Sequence, residues 1–296
     1  MNILFLAPIA KKNINKVIEW LIFYKKSYSR VNNINKLLSS PPRDYTLWTR
    51  KMDFSVSIKI KDNEIINNYL NLELKIIVEN LIFELEKKRH LGNYFLQNPN
   101  KLNHLSLAKD SGLLVPDTLI TSLKKDVIAF KKKHSSIITK SIKDCFKAQL
   151  EDFYYYNHTE RAEDELINQL NETFFPSLFQ QELDKEFDLR IIFLEKKIWS
   201  MAIFSQNDRK TEVDWRNYND QKPNRKIPFS LPTEIKNQIE SFISLSGLNI
   251  GAIDMVFTKC KKFYFLECNP NGQYDMVSDS CNFYIEKYVA DYLIKN

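Results

Sequence analysis

The chain has 296 residues, 44% hydrophobic and 27% charged, enough apolar material for two or three small cores and too much for wholesale disorder. Its formal charge of +6 is uneven: residues 1–100 carry 16 Lys and Arg against 9 Asp and Glu, so the basic excess lies in the first third. Five glycines (Gly92, Gly112, Gly247, Gly251, Gly272) cannot assemble GxxxxGK or GxGxxG, and neither GxSxG nor HExxH occurs, so any phosphate chemistry must rest on Lys, Arg and a metal.

In chain order, Met1–Lys12 places its charges after a short apolar run, the reverse of a signal peptide, and residues 2–7 read as a buried first strand. Residues 13–38 carry Ile14, Val17, Ile18, Leu21 and Ile22 at helical spacing, up to a break at Pro41-Pro42. A short strand over 45–49 precedes an amphipathic helix over 64–89, with Ile65, Tyr69, Leu72, Ile76, Leu81 and Leu85 expected inside. Asn98-Pro99-Asn100 opens a helix from Lys101 to about Ser111, with Gly112 as its cap, and Leu114–Thr118 leads into a strand. Strands follow over 136–140, 146–155 and 178–183, with a polar helix over 160–171 between the last two. Further strands cover 189–194 and 198–204, a helix runs from Leu231-Pro232 to Leu245, a hairpin spans 250–257 and 263–268, and a helix over 282–294 ends the chain.

The basic first third either attracts nucleic acid, anionic lipid or an acidic peptide, or is a solvated lysine-rich surface. Cys145, Cys260, Cys268 and Cys281 show no CxxC spacing and no His at ligand spacing, which argues for free thiols in a reducing cytoplasm rather than structural zinc. No run of 18 apolar residues is present to span a membrane.

The hairpin carries the chemistry. With Lys259–Lys262 as its loop, Thr258 pairs with Phe263 and Asp254 falls opposite Glu267, with Asn269 on Glu267's face. Directly opposed Cβ atoms sit about 4.5–5.5 Å apart. Two carboxylates that close in apolar strands repel unless a cation lies between them. Oxygen ligands with several positions left open suit a Mg²⁺ ion that also holds phosphates. The other reading is one exposed and one capped carboxylate that never meet. Lys101 and Lys140 read alone are ordinary surface lysines. Arg190 enters a buried strand and needs a phosphate or a carboxylate, and Asp188 shares its parity. Asp214-Trp215-Arg216 could be a solvent-facing turn, Asn271-Gly272-Gln273 a simple one, and Cys268 points to the core.

Asp254 followed by Glu267-x-Asn269 resembles the metal-binding end of ATP-grasp ligases, where these positions hold Mg²⁺ on the ATP phosphates. Lys101 with Gly112 and Val115-Pro116-x-Thr118 is similar to the family's first nucleotide lysine and the turn after it. Ile137-Ile138-Thr139-Lys140 looks like the strand whose lysine reaches the phosphates. Phe179-Gln180-Gln181-Glu182-Leu183 resembles the hinge that lines adenine, with Asp184 or Lys185 near the ribose. Asp188-Leu189-Arg190 resembles the element whose arginine faces the γ-phosphate. A narrower resemblance is to the graspetide ligases, the microviridin-type peptide maturases. It rests on Pro176–Gln180, Lys185, Asp188–Arg190, Thr211-x-Val213-Asp214-Trp215-Arg216, Leu231-Pro232 and Phe265–Gln273. Asn271–Ser278 looks like the grasp-with-spasm subgroup. Gln181 stands where related ligases usually carry Glu, and a polar loop over Ser141–Thr159 replaces the usual glycine-bearing one.

The resemblance implies an α/β ATP-grasp fold in three parts: a basic α/β domain over 1–100, a central α+β lid over 101–183 and an antiparallel catalytic sheet over 184–296. It implies ATP and Mg²⁺ as cofactors. Asp254, Glu267 and Asn269 would be metal ligands. Lys101, Lys140, Gln180, Gln181, Glu182, Leu183, Asp184, Lys185 and Asn269 would contact nucleotide, and Arg190, Lys140, Arg216 and Asp188 would serve catalysis. The substrate would be a ribosomally made precursor peptide with a leader, its Asp or Glu side chains activated as acyl phosphates and closed onto Ser/Thr hydroxyls or a Lys amine. A homodimer and a SPASM radical enzyme in the same pathway are implied as partners, with neither nucleic acid nor membrane. Two other readings stand beside it: a ligase that appends amino acids to a tail, and a peptide-binding module without turnover.

Overall fold

Asn2–Leu6 (β1) is buried from Ile3 onward, as a strand covered on both faces must be. It lies between β2 (Tyr28–Val31) and β3 (Tyr45–Thr49), and β4 (His90–Leu91) extends the sheet; all neighbours run parallel. The computed structural model describes residues 2–7, 12–31, 37–38, 44–50, 63–143, 147–150, 153–156, 159–217 and 219–295. Helix α1 (Lys12–Phe23) buries Ile14, Val17 and Leu21. It is shorter than its spacing predicts, because Lys25 turns left-handed (φ 55°) and the Lys26 amide closes back on the Leu21 carbonyl. The chain then re-enters the sheet as β2. The expected Pro41-Pro42 break lies outside the described residues, as does Cys145.

Helix α2 (Glu64–Glu86) starts at Asn63, whose side chain caps the Ile66 amide. Its orientation differs from the expected one. Val78, Ile82 and Leu85 face Leu4, Leu6, Tyr45 and Leu47 of the sheet, while Ile65, Tyr69, Leu72 and Ile76 are exposed. The helix carries two apolar stripes at helical spacing, and only one can face the sheet.

The middle of the chain begins with α3 (Lys101–Asp110), capped by Asn100 and ended at Gly112, whose φ of +84° favours glycine. Then come β5 (Thr118–Leu123), α4 (Lys124–Lys133), β6 (Ile137–Lys140), a two-stranded hairpin of β7 (Lys147–Leu150) and β8 (Phe153–Tyr156), β9 (Glu160–Arg161), α5 (Asp164–Gln169) and β10 (Thr173–Gln181). The single strand expected over 146–155 is thus a hairpin, set within the stretch read as a polar loop. The polar helix over 160–171 begins as strand β9. The antiparallel sheet β5-β10-β6-β9 buries Ile137 and Phe179 against Val127 and Ile167 of α4 and α5. Alternation turns Ile138, Lys140 and Gln180 to its other face.

The last part is the antiparallel sheet β13-β12-β11-β14-β15, from β11 (Lys185–Leu194), β12 (Lys197–Ile203), β13 (Lys226–Pro228), β14 (Ile250–Thr258) and β15 (Phe263–Asn269). One face packs Leu189, Ile191, Ile253, Met255 and Phe265 on α3 and on α6 (Thr233–Ser246), through Ala108, Ile239 and Phe242. The other face is apolar at one end, where Ile192, Leu194, Met201 and Ala252 meet α1, α7 (Asp275–Cys281) and α8 (Ile285–Ile294). The terminal helix expected over 282–294 starts three residues late, at Ile285, because Asn282 and Tyr284 are left-handed, and α7 before it carries no helix in the sequence reading. Toward the other end this face turns charged at Arg190 and Asp254, and there the free face of the middle sheet stands over it. Among the described residues no helix is long and apolar enough to cross a membrane.

Candidate active site

The hairpin reaches the Asp254–Glu267 pairing by a route the sequence does not disclose. Phe257, not Thr258, pairs with Phe263, so the register next to the turn is one residue off the expected one. An irregularity between Asp254 and Met255 skips Leu266 and restores the pairs Asp254–Glu267, Ile253–Cys268 and Ala252–Asn269. Without that bulge Glu267 would lie opposite Ile253 and point to the core.

One rung of the sheet then reads Arg190, Asp254, Glu267 across β11, β14 and β15. Arg190 Nη1 donates to both Asp254 carboxylate oxygens at 2.8 Å. Its partner is therefore Asp254 and not Asp188, since a neighbour across the sheet is closer than one two residues along the strand. Asp188 instead accepts from Lys185 Nζ at 3.0 Å and from the Ser205 hydroxyl. Glu267 is bound by Arg216 Nη1 at 3.0 Å and Lys101 Nζ at 3.1 Å. Arg216 also pairs with Asp214 at 2.9 Å, and Trp215 is buried, so this segment is not a solvent-facing turn.

Burial pushes the Asp254 carboxyl up, Arg190 opposing and Glu267 adding to the effect. Glu267 is part-buried, and Arg216, Lys101 and Lys140 outweigh burial and hold it below the usual carboxylate range. Burial raises Asp188 as well, against the pull of Lys185. Lys140 is pushed down to about 8 by burial, Glu267 holding it up and Arg216 and Lys101 lowering it further. It has no hydrogen-bond or ion-pair partner among the described residues. Arg190 Nε is likewise buried without an acceptor.

These groups close one end of a cleft between the two sheets. Its walls are Ile138, Lys140 and Gln180 above, and Lys185, Val256 and Leu266 below, with Gln181, Glu182 and Leu183 at the hinge. Gln180 is fixed by a bond to Thr118 Oγ1 (2.8 Å), and Glu182 by Arg161 and Ser136. Asp184 lies outside the cleft, exposed and paired with Lys259 at 2.8 Å, because the strand alternates and Lys185 takes the inward position. Asn269 sits on Glu267's side of the rung, and its Oδ1 accepts from the Asn271 amide at 2.9 Å. The sequence reading missed Arg161–Glu212 (2.7 Å) and Thr159–Asp214 (3.3 Å), which join the two walls at the cleft mouth. Contacts between residues some 50 positions apart, in loops without periodicity, leave no local signal.

The residues fit a phosphate-bound Mg²⁺. Among the described residues no group of three or more His, Cys, Asp or Glu is arranged to hold an ion alone. Two opposed carboxylates and a nearby carboxamide form an incomplete set of hard oxygen donors, which Mg²⁺ completes with water and phosphate oxygens. Lys140, with no hydrogen-bond or ion-pair partner among the described residues, and Arg190 Nε add countercharge for an anion.

Gly272 closes the back of the site. A Cβ there would lie 2.2 Å from Ala252 Cβ and 3.0 Å from Arg190 Nη2. Gly272→Ala is expected to displace Arg190, lowering turnover at least ~10-fold and stability by about 1–3 kcal/mol. Steady-state kinetics and a thermal melt on the same sample check both.

A lid sheet facing a larger antiparallel sheet, with opposed carboxylates and lysines between them, is the ATP-grasp fold, and the chain has that fold. A RiPP-associated ATP-grasp ligase of Chryseobacterium gregarium, solved with ADP and a leader and core peptide, matches with a TM-score of 0.82 at 21% identity, covering 99% of this chain and 96% of that one. The macrocyclase MdnC of Microcystis aeruginosa, solved with precursor peptide MdnA, matches at 0.79 and 22% identity, covering 99% of both chains. The ATP-grasp ligase PsnB, solved with a minimal precursor, Mg and ADP, matches at 0.75 and 17% identity, covering 99% of this chain and 96% of that one. No protein-family model matches the sequence, and no curated protein matches it.

Proposed function

We propose that this chain is an ATP- and Mg²⁺-dependent ligase that cyclises a ribosomally made peptide through its acidic side chains. The observation that carries this reading is the cluster of Lys101, Lys140, Arg190 and Arg216 around two opposed carboxylates at the end of a cleft between the two sheets. Peptide as the substrate class draws support from the structural neighbours solved with leader, core or precursor peptides.

In this reading Asp254, Glu267 and Asn269 hold Mg²⁺, which supplies charge neutralisation at the phosphates when bound. Ile138, Leu183, Val256 and Leu266 offer an apolar slot for the base. Lys101 and Lys140 face the phosphates. Arg190 and Arg216 exchange part of their carboxylate contacts for oxygens of the transferring phosphoryl group. A peptide carboxylate oxygen bonds to the γ-phosphorus as the bond to ADP breaks. A peptide hydroxyl or amine then bonds to the acyl carbon, phosphate leaves, and the nucleophile's proton passes to solvent. No protein nucleophile is required, and Asp188 serves by holding Lys185.

The test is mass spectrometry of an acidic, Ser/Thr-bearing precursor incubated with the chain, ATP and Mg²⁺. Loss of one water per link, matched by ADP and abolished by EDTA, is the expected result. A mass gain by whole amino acids would point to tail addition, and peptide binding without ADP to a non-catalytic module.

The exposed stripe Ile65, Tyr69, Leu72, Ile76 and Phe83 on α2 supports a homodimer, with a second copy covering it. Leu72→Glu is expected to shift sedimentation to the monomer without unfolding the chain. The free thiols Cys260, Cys268 and Cys281 suit the cytoplasm. A SPASM radical enzyme acting on the same peptide is part of the proposal and rests on the Asn271–Ser278 motif.

A further inference from the structure

Arg50 follows β3, in the amino-terminal sheet, and makes no contact with the cleft. It is 4% exposed, and its guanidinium lies over the rings of Trp48 and Tyr274 at 5.9 and 5.4 Å. Its Nη2 donates to the carbonyls of Gly272 (2.8 Å) and Asn271 (3.3 Å). Taking a charged group out of water for two main-chain acceptors among the described residues is costly for stability alone.

What those carbonyls belong to gives the arrangement its meaning. The turn Asn271–Gln273 is wedged between two arginines. On one side Arg50 holds Asn271 and Gly272. On the other, Arg190 Nη2 donates to the Gln273 carbonyl (3.4 Å), and Gly272 lies against Ala252 with no room for a side chain. The same turn engages Asn269, through its Oδ1 and its carbonyl, which accept from the Asn271 and Gly272 amides at 2.9 and 3.0 Å. Arg190 in turn holds Asp254. A continuous chain of contacts therefore runs from the amino-terminal sheet to the catalytic rung.

We propose that Arg50 is a positioning residue: by clamping the Asn271–Gln273 turn it sets the placement of Arg190 and Asn269 for phosphoryl transfer, an inference that rests on the ligase reading above. It makes the amino-terminal sheet part of the catalytic apparatus. Arg50→Met should release the turn and misplace the rung, while Ile138, Gln180, Leu183 and Leu266, the part of the cleft walls that Arg50 does not touch, stay in place. Arg50→Lys keeps the charge and gathers its donors on one nitrogen with a shorter reach, and should recover part of the loss.

The experiment has two arms on the full chain. Hydrogen exchange of the free protein should show the Asn271 and Gly272 amides exchanging at least ~10-fold faster in R50M, intermediate in R50K, with β6 and α6 unchanged. Kinetics with precursor peptide should show kcat falling ~30-fold or more in R50M at a KM for ATP within about threefold of wild type, partly restored in R50K. Unchanged exchange in the turn overturns the proposal. So does faster exchange with unchanged kcat, and so does a rise in KM for ATP alone. If the wild-type chain forms no ADP with peptide, the ligase reading fails, and the proposal for phosphoryl transfer falls with it. The exchange arm then still decides whether Arg50 clamps the turn.

Discussion

Asp254→Asn is expected to abolish peptide-dependent ADP formation, by about 10²–10³-fold or more, and to destabilise the free protein in the same step. The second effect follows from Arg190. Its Nη1 spends two charge-assisted bonds on Asp254, and both side chains are nearly buried. Asparagine keeps the volume but offers one acceptor and no charge, so a guanidinium remains in the sheet uncompensated. Breaking a buried pair from one side costs about 3–5 kcal/mol, whereas replacing both partners with apolar groups is often neutral. The double variant D254L/R190M should therefore recover much of the melting temperature and none of the activity. Glu267→Gln should match the activity loss at a smaller stability cost, because its cations are less confined: Arg216 keeps Asp214, and Lys101 is part-exposed. Melts of the three variants beside ADP assays separate the two effects. A D254N chain that turns over normally with Mg²⁺ would sink the metal assignment.

The rung was legible in the sequence to an instructive degree. The four-residue loop assumed for the hairpin brings Asp254 opposite Glu267 only because a bulge cancels its one-residue error, while alternation turns Cys268 inward. Alternation was not enough to fix the register at the turn, where the assumed Thr258–Phe263 pair is absent and a bulge at Leu266 makes up the difference. Bulges carry no composition signal, so a count from the loop reaches this pairing only by skipping them. Helix α2 failed for the opposite reason, an excess of signal: two apolar stripes at the same period, of which the sheet takes Val78, Ile82 and Leu85. Arg190 shows the limit of one-strand reasoning. Its parity with Asp188 is real, but the partner it finds lies across the sheet, and pairing of β11 with β14 spans 64 residues. Arg50 was invisible, since nothing in Trp48-Thr49-Arg50 announces a turn more than 200 residues away.

Lys140 yields the other large effect, and its sign in the free protein is opposite to its sign in function. The ammonium sits in the cleft with Lys101 and Arg216 nearby and no bonded partner among the described residues, so the free protein bears its desolvation for the sake of an anion that arrives later. Lys140→Met is expected to raise the melting temperature of the free chain by about 2–5 °C, at roughly 2–4 °C per kcal/mol for a chain of this size. The pH dependence gives an independent signature. Burial lowers the folded pKa to about 8 from 10.5, so between those values the unfolded chain holds more protons than the folded one. Stability from this group therefore rises from about pH 8 to 10.5 and is lost again as pH falls through the folded value. The difference in stability between wild type and K140M should shrink across that window, which cancels the common titration of tyrosines and cysteines. With Mg²⁺ and ATP the order reverses: nucleotide should stabilise wild type strongly and K140M weakly, with turnover down about 10²-fold or more. An equal thermal shift by nucleotide in both proteins would remove Lys140 from the phosphate site and leave it a surface lysine turned inward.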